Sequence, residues 1–95
     1  MVNEKQRIEE LKQQGYAKVY VWHASPFEED HEHTHPFDVH LEVVSGEIEI
    51  GISGAESAGA KNLLRAGDQF NIPRETKHTG KAGAQGCEYI VAEKH

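Results

Sequence analysis

The sequence is short of most features that would tie it to a particular partner or compartment. It has one cysteine, Cys87, which excludes an intrachain disulfide framework and fits a reducing, cytoplasmic location. No activating base lies beside that cysteine and no Ser-His-Asp order stands out, so a nucleophilic mechanism has nothing to rest on. There is no long apolar run and no basic-then-apolar leader, so no membrane span and no secretory signal are expected. Lys and Arg total 10 against 16 Asp and Glu, for a formal charge of −6 with histidines neutral, and the basic residues are not clustered. A phosphate backbone has nothing to grip, and nucleic acid is excluded as a partner.

Histidine is what the chain does have. Four of its seven histidines fall in the stretch from His31 to His40. Along an extended strand successive side chains alternate between faces, so His31, His33 and His35 would share one face and their imidazoles would converge. That is half of a metal site, and the competing reading is an exposed polar strand or a solvated histidine-rich loop. Imidazole suits zinc, copper, iron and nickel, and few protein ligands leave positions open for water or substrate.

Ninety-five residues make one domain, and a hydrophobic content of 37% is modest for a self-sufficient core. Asn3 to Gln14 reads as a helix, with Asn3 as cap, Gln6 in capping-box position and Gly15 as stop. Its apolar stripe is only Ile8 and Leu11, so it should cover a sheet edge or a dimer contact. From Ala17 to His23 the period becomes two, a half-buried strand that Pro26 ends. Val39 to Val44 and Glu47 to Ile52 read as strands joined by a hairpin at Ser45-Gly46. The small residues 54–60 read as a mobile loop before strands at Asn62 to Arg65 and Gln69 to Ile72. Gly80, Gly83 and Gly86 break up the segment before a last strand, Cys87 to Ala92, and the closing Glu93-Lys94-His95 reads as a frayed end without a role for His95. Many short strands behind one helix predict a small all-β barrel or sandwich, completing its core by pairing into a homodimer.

Two motifs in the right order resemble those of the small single-domain cupins. The first has the form G-x5-H-x-H-x3,4-E-x6-G, and His33, His35 and Gly46 occupy its histidine pair and closing glycine. The second has the form G-x5-P-x-G-x2-H-x3-N, matched by Gly67, Pro73 and His78. The resemblance covers Phe27 to Ala82 and implies an antiparallel jelly-roll β-barrel of residues 16–95, with the helix through residue 15 packed on it. It implies His33, His35 and His78 as ligands of a divalent transition metal: zinc, iron, nickel or manganese. Phe27, Glu75 and Ala82 replace family glycines and an asparagine, and Val39 stands where the family has a metal-binding glutamate. If the strand is regular, Val39, Leu41 and Val43 point inward and Asp38, His40 and Glu42 outward, leaving a three-histidine site. A bulge at Pro36 would instead turn Asp38 or His40 inward as a fourth ligand. His31 is a rim residue or an extra ligand, His23 and His40 belong to the outer face, and Trp22, Phe37, Phe70 and Tyr89 are candidates for the cavity wall.

Two functions from different classes follow. One is a binding module that holds the metal with open positions for a small anionic ligand. The other is a metal-dependent enzyme, of dioxygenase, isomerase or hydrolase type, acting on a small molecule. No catalytic residue is assigned, because the motifs offer no acid or base beyond the histidines and Glu75.

Overall fold

A computed structural model describes residues 3–53 and 60–95. Asn3 caps helix α1 (Glu4–Gln13), its Oδ1 accepting from the Gln6 amide at 3.1 Å, and Gly15 leaves the helix with a left-handed φ of 97°. Six strands follow: β1 (Lys18–Ala24), β2 (Glu29–His33), β3 (Asp38–Ser53), β4 (Ala60–Arg65), β5 (Gln69–Ile72) and β6 (Lys77–Lys94). They form one antiparallel sheet in the order β1-β6-β3-β4, with β2 also on β6 and β5 also on β3. The mobile loop expected at 54–60 lies outside the described residues, except for Ala60, which opens β4.

The two long strands differ from the sequence expectation, and for one reason. No hairpin forms at Ser45-Gly46, and Gly80, Gly83 and Gly86 do not interrupt β6; β3 and β6 run on as partners from Asp38↔Lys94 to Ser53↔Lys77. Their register shifts between Val43 and Ser45 and again between Gly46 and Ile48. An extra residue in one strand reverses the parity of everything beyond it. Val39, Leu41 and Val43 therefore face the core on one side of the irregularity, and Ile48 and Ile50 face the same core on the other. At the bulge Gly46 and Gly86, both with left-handed φ, bring backbones too close for a side chain: a Cβ on Gly46 would strike the Gly86 carbonyl oxygen. Glycine here marks a close crossing inside a strand, which from sequence alone looks like a turn.

The inner cluster joins those residues to Leu64, Ile72, Ala82, Cys87, Tyr89 and Val91. Burial pushes the Cys87 thiol up to about 11, which makes it a core residue and not a nucleophile. On the outer face Leu11, 1% exposed, lies on Ile90 and Ala92, with Ile8, Val19, Val21 and Val44 around them. The helix thus covers the outer side of β1 and β6.

A polar network anchors the same face. Arg7 is bidentate to Glu42, with Nε 2.8 Å from Oε1 and Nη2 on Oε2, and His40 Nε2–H donates to Oε2 at 2.8 Å while its Nδ1 meets Asn71. His40 is on the outer face, as parity requires, yet it is buried there among Glu42, Asn71 and Tyr16. The Arg7 guanidinium holds the Glu42 carboxyl below the usual range. A depressed carboxyl value contributes stability above the ordinary value of 4.5, and that contribution is lost as pH falls through the folded value. Glu42→Gln is therefore expected to cost about 2–3 kcal/mol at neutral pH. Urea unfolding should show the gap to wild type closing as pH falls below the ordinary carboxyl value of 4.5. Parallel curves would show that the pair contributes nothing through its charge.

Candidate metal centre

Three short segments bring imidazoles to the mouth of the barrel. His33 ends β2 and is the cross-strand partner of His78 on β6, with ring centroids 4.2 Å apart. His35 follows β2 in the connection to β3, 4.8 Å from the His33 ring and 5.2 Å from that of His78. One nitrogen from each ring falls within 4.8 Å of the others. His33 Nδ1–H donates to the His31 carbonyl at 2.6 Å, and His78 Nδ1–H donates to the Thr76 carbonyl at 2.9 Å. A carbonyl can only accept, so both rings are left with Nε2 as the free lone pair, the form a metal ligand needs. Burial lowers His78, and burial with the nearby His33 lowers His35, so both favour the neutral form. This donor set fits a divalent transition ion.

The turn between β5 and β6 fixes two of the three. Thr76 supplies the carbonyl for His78, and the Glu75 amide donates to the His35 carbonyl at 2.8 Å. Glu75 does this with φ at 61°, and Phe27 has φ at 59°. These are two of the positions where the cupin motifs carry glycine, and the backbone keeps the glycine conformation without the glycine.

The remaining candidates separate cleanly. The β2 register shifts between Asp30 and His33, and this extra residue puts Asp30, not His31, on the cavity side; His31 is exposed and gives only its carbonyl. Pro36 causes no parity change in β3: Val39 is 6% exposed and faces inward, while Asp38 accepts from the Arg74 amide outside and His40 bonds to Glu42 on the outer face. Neither side chain faces the three histidines. His23 is on the outer face, 2.9 Å from Glu88. Trp22, Phe37 and Tyr89 line the cavity, but Phe70 packs into the inner core instead.

Behind the histidines lies a cavity of about 210 Å³ walled by Val39, Leu41, Ile48, Ile50, Ile72 and Val91. Polar groups missed in the sequence also face it: Asp30, Thr79, Tyr20 and Glu93. Glu93 Oε2 accepts from the Tyr20 hydroxyl at 3.1 Å, and His95 Nε2 is 2.8 Å from Oε1. Burial and the bond to Glu93 push the Tyr20 phenol up to about 12. Burial raises the Glu93 carboxyl, but the bonds from His95 and Tyr20 outweigh it and leave it below the ordinary value. His95 is not a frayed end, since it stacks on Phe37 at 4.4 Å and Phe37 stacks on His35 at 5.1 Å. The parity of Tyr89 and Val91, carried two residues further, was the signal for an inward Glu93.

No protein-family profile matches the chain, and no curated protein matches it by sequence. Solved structures do. A cupin-2 domain protein from Shewanella frigidimarina aligns with a TM-score of 0.66 at 20% identity, over 81% of this chain and 69% of its own. A protein with a double-stranded β-helix domain from Klebsiella pneumoniae aligns with a TM-score of 0.70 at 27% identity, over 84% of this chain and 68% of its own. CENP-C of Drosophila melanogaster, in a structure bound to CAL1, gives 0.74 at 18% identity, over 82% of this chain and 65% of the solved chain, so this chain spans just under two thirds of it. The fold is that of a small cupin domain, a jelly-roll barrel with one short helix.

The left-handed Glu75 gives a test. A side chain in that region costs about 1–2 kcal/mol, and glycine returns part of the gain as unfolded-state entropy. Glu75→Gly is expected to stabilise by about 0.5–1 kcal/mol in urea unfolding. A loss of stability would mean the Glu75 side chain has a stabilising contact that outweighs the strain.

Proposed function

We propose that this domain binds a divalent transition metal through His33, His35 and His78, leaving coordination positions open to a small anionic ligand in the cavity. The observation that carries the reading is the convergence of three imidazoles within 4.8 Å, two of them with Nδ1–H tied to backbone carbonyls. Such carbonyls orient the rings before any ion arrives. Bound there, the metal would supply a Lewis-acidic positive charge. Three neutral imidazoles cancel none of that charge, which favours anions. At about 210 Å³ the cavity is below the size that holds a drug-like molecule, so its occupant has few heavy atoms. The ion's identity among zinc, iron, nickel and manganese, a cytoplasmic setting and a homodimer belong to the same proposal. The homodimer is motivated by the edge of β1, which among the described residues pairs with β6 alone.

A second reading, a metal-dependent enzyme, is favoured by one feature. Asp30, Glu93 and Tyr20 put proton-carrying groups on the cavity wall beside the histidines, and a storage site has no use for them. The fold itself does not choose between the readings.

Replacing His33 and His35 together by Ala is expected to abolish stoichiometric metal binding with the circular dichroism spectrum unchanged; full metal content in that variant would place the ligands elsewhere. Protons compete with the ion for the imidazoles, and the lowered values of His35 and His78 move that competition to more acid conditions. Affinity should therefore hold down to the ordinary histidine value of 6.5 and decline below it. Val39→Glu, on the inward face, is expected to tighten metal binding and weaken azide binding to the cobalt-loaded protein. Unchanged affinities for both would show that a side chain at position 39 does not reach the ion.

A further inference from the structure

Glu93 is a buried carboxylate, 8% exposed, and its only ion-pair partner among the described residues is His95. Among the described residues Lys18 acts on it only from beyond ion-pair distance. Isolating a carboxylate from water this way costs several kcal/mol unless something positive compensates. Tyr20 and His95 already offset that cost, and the position of the group says what further charge it can meet. In the β3–β6 ladder Glu93 is the cross-strand partner of Val39, and both side chains line the cavity that holds the three imidazoles. Directly opposed residues have Cβ atoms about 5 Å apart, so a carboxylate at 93 occupies nearly the same part of the barrel as one at 39 would. Tyr20 and His95 clamp its two oxygens from either side. Asp30, the other carboxylate on the cavity wall, differs in being exposed, with water to solvate it.

We propose that Glu93 supplies the negative charge of the metal centre, acting from the strand beside Val39 as the carboxylate that balances an ion held by His33, His35 and His78. The inference rests on the metal-binding reading above and adds to it which residue sets the charge of the site. A divalent ion with one facing carboxylate keeps a net positive charge, so the cavity still prefers an anion. It holds that anion less tightly than three histidines alone would.

The test is titration of Co2+ into the metal-free full chain, followed by calorimetry and by the visible absorption of bound cobalt. Glu93→Gln, which keeps the side-chain shape, is expected to weaken Co2+ binding about 10–100-fold, the range seen when groups supporting a metal site are removed. Adding Val39→Glu to that variant returns the charge but not the bonds to Tyr20 and His95, and affinity is expected to recover. The gain from Val39→Glu is expected to be larger in that variant than in wild type, and an equal gain in both backgrounds would mark Glu93 as purely structural. If Glu93→Gln fails to fold, the exchange variant Val39→Glu with Glu93→Val carries the same question, with affinity near wild type expected. The inference is overturned if Glu93→Gln binds Co2+ within about two-fold of wild type, if the exchange variant loses ten-fold or more, or if the loss falls on Asp30→Asn instead. Wild type that binds no Co2+ at all would overturn the metal reading itself, and this one with it.

Discussion

Two backbone carbonyls, those of His31 and Thr76, hold the rest of the candidate site in place. Each accepts the Nδ1–H of an imidazole, and together they turn the Nε2 lone pairs of His33 and His78 into the barrel mouth. A carbonyl that belongs to the strand or turn carrying the histidine cannot drift away from it. The orientation is thus a property of the fold. Without these bonds the His33 and His78 rings would lose the fixed direction of their Nε2 lone pairs. The turn that supplies the Thr76 carbonyl also ties down His35 through the Glu75 amide, at the expense of a left-handed glutamate.

Strand parity decides which residues this mouth contains. A register shift in β2 trades His31 for Asp30 on the cavity side, and the shifts in β3 and β6 let a single pair of long strands present apolar residues to the core along both halves. Helix α1 completes the other side of the sheet, where Leu11 and the Arg7–Glu42–His40 network bury a face that would otherwise be wet. The barrel therefore has a dry inner wall, a polar mouth and a covered back, and only the mouth gathers metal-ligating side chains among the described residues.

Much of this was legible in the sequence. Alternation located β1, β5 and the two halves of β3, and Asn3 and Gly15 bounded the helix. The spacing of His33, His35 and His78 in two motifs identified the three residues that the fold brings together. What could not be read is what depends on irregular pairing. Gly46, Gly80, Gly83 and Gly86 look like turn residues, yet they sit inside strands, two of them where backbones cross too closely for a Cβ. The β2 bulge that exchanges His31 for Asp30 leaves no mark in residue type. Glu93 and His95 look like a polar tail because the burial of the one and the stacking of the other arise from contacts with Tyr20 and Phe37, far away in sequence.

The account depends most on the orientation of the imidazoles, and nitrogen-15 NMR of the histidine rings reads it directly. In metal-free protein at neutral pH, His33 and His78 should carry their proton on Nδ1, and added Zn2+ should shift Nε2 while leaving Nδ1–H in place. Rings protonated on Nε2, or Nε2 resonances that do not respond to Zn2+, would contradict it.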